Sequence, residues 1–191
     1  KDAFVPGYLR QQLTDMRAGD SPGAAIHKTA TYRMPMLPVL GLTAAAPAVG
    51  CAKKTVDLFK QSLLQRMVYG TQNKLSDRAL AQSKLAHLTV RLNNTEQALL
   101  QIASEVMQWG ESGDICPDIA RAAFRVRIGH VVRDARNIVR DVSEASGSSA
   151  HNLDNPLQRA LRDLETLSCH TVFDLDVSSE AYGRLLLGLA S

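Results

Sequence analysis

The segment PDIARAAFRVRIGHVVRDARNIVRDVSEASG, residues 117–147, decides the fold. Its apolar side chains recur at helical spacing, which is the pattern of an amphipathic helix with one buried face. They are Ile119, Phe124, Ile128, Val131, Ile138 and Val142. Pro117 favours the first turn of a helix and Gly147 favours its end. The segment therefore predicts one helix, about 40 to 50 Å long at about 1.5 Å per residue.

Two upstream segments show the same periodicity. The first runs from Leu42 to about Gly70, and Pro47 is tolerable only if it lies near the first turn. The second runs from an N-cap at Ser76 to about Trp109. Its apolar stripe comprises Leu80, Leu85, Leu88, Leu92, Leu99, Ile102 and Val106. Long helices bury such stripes against one another, so the three segments predict a helical bundle.

Two shorter helices are predicted downstream. Asn155 followed by Pro156 is typical of a helix start, with asparagine as the cap and proline in the first turn. A last helix is predicted from Asp176 or Ser178 through Leu189.

The first forty residues have a different composition. They hold four of the seven prolines, which interrupt regular elements. No segment shows the strand pattern of a doubly wound sheet. The sequence therefore predicts an all-α, up-down helical bundle in residues 41–191, preceded by an irregular N-terminal arm and linker in residues 1–40.

Composition excludes several classes of protein. With 45% apolar and 21% charged residues, the chain is typical of a globular domain rather than a disordered one. A dispersed net charge of +3 and 5% aromatic residues argue against a nucleic-acid partner. No uninterrupted run of about 20 apolar residues predicts a membrane span, and the start has no signal-peptide layout. The abrupt start without methionine is expected of a fragment.

Cysteine and histidine spacing argues against a metal site. Cys51, Cys116 and Cys169 are far apart and lack CxxC spacing, so neither a disulfide framework nor a zinc site is predicted. No two histidines pair at i,i+4, as they do in zincins. We therefore expect no metal and a reducing, cytoplasmic location.

Arg66 and Tyr69 are the first candidate ligand-binding residues. At three-residue spacing they are predicted to share a face at the end of the first long helix. The guanidinium could bind a phosphate and the ring could stack on a planar group. Taken alone, the pair is more simply explained as an exposed arginine at a helix C-terminus beside a tyrosine packed on a neighbour.

The glycine-serine loop at Gly147 and Ser148 is the second candidate. Its backbone allows close approach and its amides and hydroxyls could donate to a phosphate or a flavin edge. A plain helix C-cap is the alternative.

A cluster of charge follows Asn155. Arg159 and Asp163 have the i,i+4 spacing of a surface ion pair. Arg162 is the better functional candidate because it flanks the apolar positions Leu161 and Leu164.

His170 is predicted to lie where the fourth helix gives way to a turn. Histidine exchanges a proton near neutral pH, so it could act as a general acid or base. A single histidine is more often structural, and no aspartate or serine at catalytic spacing completes a triad.

Taken in their order along the chain, the motifs described above resemble those of one protein family. The order is Arg66-x-x-Tyr69-Gly70, Gln82 leading into Leu85-Ala86, the Gly147-Ser148 loop, Asn155-Pro156-Leu157-Gln158-Arg159-x-x-Arg162-Asp163 and His170. It is similar to the C-terminal helical domain of the acyl-CoA dehydrogenase superfamily and, within it, to the flavin-dependent monooxygenases of two-component systems. The opening Asp2-Ala3-Phe4-Val5-Pro6 resembles the tail of that superfamily's middle β-domain.

The resemblance implies an activity and a set of partners. A separate reductase would supply FMNH2 or FADH2, oxygen would add to the flavin as a C4a-hydroperoxide, and a phenolic or other aromatic substrate would be hydroxylated. His170 would stabilise the hydroperoxide. Arg66, Tyr69, the Gly147-Ser148 loop and Arg162 would bind the flavin, Arg66 and Tyr69 on a neighbouring subunit of a homotetramer.

Two alternatives remain open within the resemblance. Dehydrogenases of the superfamily carry a catalytic glutamate near this position, whereas residues 167–172 read LSCHTV and the next carboxylate is Asp174. That difference argues against dehydrogenation, although a glutamate on another helix could serve. The chain could also be a non-catalytic helical module for oligomerisation.

Overall fold

The computed structural model describes residues 3–13, 16 and 21–190. In these residues the chain forms six α-helices whose bounds are defined, short turns of 3₁₀ helix, and no β-strand. The helices are α1 Pro22–Ile26, α2 Met36–Gln65, α3 Ala79–Ser112, α4 Asp118–Ser146, α5 Pro156–Ser168 and α6 Leu175–Leu186. The prediction of an all-α fold is confirmed. Asp2 of the opening motif lies outside the described residues, and the boundary at residue 40 stays a prediction.

Helix α4 lies at the centre of the bundle and packs against α2, α3, α5 and α6. Arg91 on α3 pairs with Asp141 on α4, and Glu105 pairs with Arg127, so these helices run antiparallel. Within α4, the buried face consists of Phe124, Ile128, Gly129, Val131, Val132, Ala135, Ile138, Val139, Val142 and Ser143. The apolar period of residues 117–147 therefore correctly predicts the core helix.

Helix α2 runs parallel to α4, because their matching ends touch. A Cβ built at Gly41 would lie 3.2 Å from Cδ1 of Ile128, near the start of both helices. At the other end the Arg66 guanidinium donates to the Ser146 carbonyl oxygen at 3.2 Å. The order α2, α3, α4 is therefore up, down, up, as predicted.

Helix α2 differs from its predicted bounds at both ends. It begins at Met36, before the predicted start, and ends at Gln65. Arg66 then has an extended backbone, with φ −88° and ψ 139°, and the chain reverses at Gly70. The prediction that Arg66 and Tyr69 share a helix face is wrong, because the helix ends before both residues. Hydrogen bonds within the turn pair backbone groups that a longer helix would otherwise have paired.

Pro47 lies in the middle of α2, not near its first turn. Its side chain is exposed, while Ala45 and Ala48 on either side of it are fully buried. Proline inside a helix costs about 3 kcal/mol through the lost hydrogen bond and a ring clash. Burial of the flanking helix outweighs that cost, which sequence periodicity alone did not reveal.

Helix α2 is also apolar and long enough, by composition, to cross a membrane. The search for an uninterrupted run of about 20 apolar residues did not predict this property of the helix. In the bundle its inward side packs on α4 and α3, and Val49, Val56 and Phe59 are buried there.

Helices α5 and α6 each begin directly after a residue whose side chain caps the helix. Asn155 Oδ1 accepts from the Leu157 amide at 2.9 Å and so caps α5 as predicted. Asp174, not Asp176 or Ser178, caps α6. Helix α3 begins at Ala79 because Ser76 lies in a 3₁₀ turn, and so the predicted cap at Ser76 is wrong.

An ion pair between α3 and α4 makes stability depend on pH. Arg127 Nη2 donates to Glu105 Oε1 at 2.9 Å, and this hydrogen bonding lowers the pKa of Glu105 below its ordinary value. A carboxylate with a depressed pKa stabilises the fold above its unfolded pKa, and that contribution disappears as pH falls through the folded pKa.

We expect Glu105→Gln to lower the free energy of unfolding at pH 7 by less than about 1 kcal/mol, because the pair is partly exposed. The difference from the wild type should shrink as pH falls below the unfolded pKa of about 4.3 and vanish below the lowered pKa of folded Glu105. Guanidinium denaturation followed by circular dichroism at both pH values measures it. Glu111→Gln, at an exposed position of the same helix, is the matched control. An equal loss at pH 3 and pH 7 would contradict the ion-pair explanation.

Candidate functional site

The loop after α2 is a tight hairpin. The Val68 amide donates to the Asn73 carbonyl at 2.8 Å and the Thr71 amide donates to the Val68 carbonyl at 3.0 Å. Gly70, at φ +74°, occupies the third position of the turn, as in a type II turn. Tyr69 at the tip is fully exposed. The hairpin therefore presents an aromatic ring away from this chain's own core.

Arg66 connects that hairpin to the end of α4. Its Nη1 donates to the carbonyl oxygen of Ser146, the last residue of the helix. Gly147 follows at φ +74°, and a Cβ built there would meet nothing within 4 Å. The backbone conformation, rather than packing, therefore favours glycine at this position. Arg66 has no carboxylate partner among the described residues.

Arg66, Tyr69, Gly147 and Ser148 thus belong to one end of the bundle, named here the hairpin end. This end carries a guanidinium, an exposed ring, the Ser148 hydroxyl and an open backbone turn. Each of these groups can donate to or stack on a nucleotide. The structure thus brings the Arg66 hairpin to the glycine-serine loop, although not by the helix face that was predicted.

His170 lies in the connection between α5 and α6. Its Nδ1 accepts a hydrogen bond from the Val172 amide at 3.1 Å and caps the 3₁₀ turn Thr171–Phe173. Because Nδ1 is an acceptor there, the neutral ring carries its proton on Nε2. The ring is exposed and tilted against Phe173, with centroids 6.2 Å apart. His170 therefore presents an N–H donor outward.

An apolar pocket begins one residue after His170. It has a volume of about 320 Å³ and lies between the starts of α2 and α4, the 3₁₀ turn, and α6. Its walls include Leu37, Gly41, Ile128, Thr171, Val172 and Ala181, together with the side chains of Arg121 and Arg125. The volume is at the small end of the range for small-molecule sites. Sequence periodicity did not reveal it, because its walls come from four separate segments.

One chain does not bring His170 to the hairpin end. Arg125 Nη2 donates to the Thr171 carbonyl at 3.0 Å, which places the His170 turn beside the first third of α4. Arg66 contacts the last residue of α4. Arg125 and Ser146 are 21 residues apart on this helix, or about 31 Å. The predicted catalytic and flavin-binding residues form two separate half-sites.

Arg162 belongs to neither half-site through a described hydrogen bond. Its side chain is 62% exposed on α5, and its Nε lies 3.8 Å from the Asp163 carboxylate. The neighbouring pair of Arg159 with Asp163, at 3.5 Å, is also exposed. A flavin-binding role for Arg162 stays a prediction.

Two of the three cysteines, Cys51 and Cys116, are not activated nucleophiles. Burial raises the pKa of the Cys116 thiol to about 11, and burial also raises the pKa of Cys51. In the described residues no group of three or more His, Cys, Asp or Glu side chains is arranged to hold a metal ion. His170 and the arginines therefore remain the candidate groups for chemistry among the described residues.

Comparison with known families decides the identity of the fold. Residues 42–175 match the family described as the acyl-CoA dehydrogenase, C-terminal domain. This chain belongs to that family. The match includes the hairpin, the glycine-serine loop, Arg162 and His170, so the resemblance drawn from those residues is confirmed.

Two curated relatives match nearly the whole of this chain and are themselves about twice as long. The pigment production hydroxylase of Rhodococcus sp. (strain ATCC 21145) is 30% identical over 189 residues, covering 98% of this chain and 48% of that protein. The oxygenase component of p-hydroxyphenylacetate 3-hydroxylase from Acinetobacter baumannii is 24% identical over 190 residues, covering 98% of this chain and 45% of that protein. This acyl-CoA dehydrogenase C-terminal domain thus spans about half the length of the curated relatives it matches.

A solved structure shows the same fold. XiaF from Streptomyces sp., in complex with FADH2 and glycerol, superposes with a TM-score of 0.80 at 19% sequence identity. The superposition covers 97% of this chain and 46% of that chain. This domain therefore shares its fold with part of a protein whose structure was solved with FADH2.

Proposed function

We propose that this chain is the C-terminal helical domain of the oxygenase component of a two-component flavin-dependent monooxygenase that hydroxylates a phenolic substrate. The observation that carries the proposal is His170 in the connection between α5 and α6, an exposed ring with its N–H at Nε2, one residue before Thr171 and Val172 in the wall of an apolar pocket. Relatives named as a hydroxylase and as an oxygenase component support it. A separate reductase is the partner that supplies reduced flavin, FMNH2 or FADH2.

The hairpin end fits the phosphate side of a flavin nucleotide. Arg66 donates only one described hydrogen bond, to a carbonyl, so the rest of its guanidinium fork can bind an anion. The open face of Gly147 and the hydroxyl of Ser148 add donors of the kind that phosphates need. Tyr69 offers an exposed ring for stacking.

The division into two half-sites supports an assembly in which at least two copies of the chain meet, and we propose that this assembly is a homotetramer. Thr171 contacts α4 at Arg125, and Arg66 contacts it at Ser146, about 31 Å further along the helix. This separation is longer than the distance from a flavin ring to its phosphates. One flavin could therefore meet His170 of one subunit and the hairpin end of a neighbour. This assembly makes each active site depend on two copies of the chain.

Bound reduced flavin would supply the electrons and activate O2. His170 holds a proton at Nε2 and can donate it to a reacting oxygen atom, while its Nδ1 is fixed by the Val172 amide. The apolar walls at Ile128 and Val172 exclude water from the aromatic substrate. The protein thus contributes orientation, a proton donor and a dry pocket.

The structure also bears on the dehydrogenase alternative. Asp174 is the first carboxylate after His170, and its Oδ1 accepts from the amides of Asp176 at 3.0 Å and Val177 at 3.1 Å. A carboxylate that caps a helix is committed to two backbone donors and is poorly placed to abstract a substrate proton. This arrangement favours the monooxygenase.

The full-length gene product carrying this sequence tests the proposal. We expect it to bind reduced FMN or FAD under anaerobic conditions and, with a flavin reductase, NADH and ¹⁸O2, to insert one labelled oxygen atom into a phenol. Mass spectrometry of the product measures this. Reduction of an electron acceptor by acyl-CoA without oxygen insertion would establish the dehydrogenase instead. Failure to bind either flavin would establish the non-catalytic helical module.

A further inference from the structure

Helix α4 carries six arginines, and most are neutralised. Four have carboxylate partners: Arg121 with Asp118, Arg127 with Glu105, and Arg136 and Arg140 with Glu165. Arg125 and Arg133 have none among the described residues. Of these two, only Arg125 lies in the wall of the apolar pocket of about 320 Å³.

Arg125 is half-buried and held in place. Its Nη2 donates to the Thr171 carbonyl at 3.0 Å, which fixes the guanidinium beside the His170 turn. In the described part of the chain its Nε and Nη1 have no acceptor. Four of the five N–H groups of this positioned guanidinium therefore remain for a ligand.

The second cation of the pocket wall is already occupied. Arg121 donates to the Asp118 carboxylate and to the Cys116 carbonyl. The remaining walls at Leu37, Ile128 and Ala181 are apolar. The pocket thus combines a surface for a hydrocarbon ring with one positive charge that lacks a carboxylate partner in the described residues.

We propose that this pocket takes a single-ring phenolic acid and that Arg125 binds its carboxylate. The inference rests on the proposed hydroxylase function and adds the class of substrate. A carboxylate leaving water needs a charged hydrogen-bonding partner, and the arginine fork matches its two oxygens. A volume of about 320 Å³ accommodates an aromatic ring that carries a short acidic side chain.

The test uses two isosteric probes on the full-length gene product, 4-hydroxyphenylacetate and the neutral 4-hydroxyphenylacetamide. We expect Arg125→Gln to lower kcat/KM for the acid by about 10- to 100-fold, mainly through KM, because a hydrogen bond to a charged group is lost. The value for the amide should change by less than about threefold. Arg125→Lys, which keeps the charge without the fork, should restore part of the preference for the acid.

Two matched variants separate charge from structure. Arg121→Gln should affect both probes equally, because that guanidinium is held by Asp118. Arg159→Gln, at an exposed position of α5, should affect neither probe. If Arg125→Gln weakens both probes equally, Arg125 only holds the Thr171 turn and the assignment is wrong. If it weakens reduced FMN binding and leaves the preference between the probes intact, the anion is the flavin phosphate and the assignment is also wrong.

Equilibrium dialysis of the two probes provides a readout independent of turnover. If the wild type binds the acid more tightly than the amide, Arg125→Gln removes that preference and neither probe is hydroxylated, the proposed function fails while the inference about Arg125 stands. If it hydroxylates the amide as well as the acid and Arg125→Gln does not change their ratio, the proposed function stands while the inference about Arg125 fails.

Discussion

Replacing His170 with asparagine is expected to remove most hydroxylation while preserving the fold. In the wild type, Nδ1 caps the Thr171–Phe173 turn and Nε2–H points outward. Asparagine can still accept the Val172 amide hydrogen bond but cannot exchange a proton near neutral pH. Loss of a general acid or base typically lowers the rate by about 100-fold or more. We expect that loss in product formation, with the consumed O2 appearing as hydrogen peroxide.

The full-length gene product with its reductase allows both quantities to be measured, by oxygen electrode and product chromatography. His170→Ala removes the cap as well, so it should add a stability loss of about 0.5–2 kcal/mol that His170→Asn does not show. His87→Ala, at an exposed position on α3, is the control for removing a histidine. Wild-type coupling in His170→Asn would show that His170 is only a capping residue.

Truncation of Ile138 to alanine is expected to produce the largest loss of stability. Ile138 is fully buried on the face of α4 that forms the centre of the bundle. Removing its methyl groups loses transfer free energy and leaves a cavity that close-packed helices cannot fill completely. We expect the free energy of unfolding to fall by about 2–5 kcal/mol.

Guanidinium denaturation of the chain, followed by circular dichroism, measures that change. Ile138→Val should lose only about 0.5–1.5 kcal/mol, because one methylene is removed. Ile119→Ala, on the same helix but 41% exposed, is the matched control and should lose much less. Similar losses for Ile119→Ala and Ile138→Ala would mean that general helix propensity, rather than core packing, determines the result.

The burial of the apolar stripes shows what helical periodicity can and cannot predict. Ile128, Ile138 and Val142 were predicted to face the core, and all are buried. Leu80 was placed in the same kind of stripe on α3 but is 81% exposed. It lies in the first turn of α3, where helix spacing continues although no neighbouring helix covers the face. Periodicity therefore identifies a helix and its apolar side, but not how much of that side is covered.

The sequence named candidate residues for the site but could not predict how they are arranged. The motif order placed Arg66, Gly147 and His170 as candidates, and the structure brings Arg66 to the glycine-serine loop. The helix face expected for Arg66 and Tyr69 does not exist, because the chain reverses at Gly70. Hydrogen bonds between residues distant in sequence decide such local geometry.

The sequence by itself determined the helical class, the central helix at residues 117–147, the cap at Asn155 and the resemblance to the acyl-CoA dehydrogenase family. These are local properties, set by side-chain spacing and backbone preferences within a few turns. Only the tertiary structure separated His170 from the hairpin end and placed Arg125 beside an apolar pocket with no carboxylate partner in the part of the chain that the structure describes. Those features depend on which helices touch, because a pocket and a charge partner are formed by segments far apart in the chain.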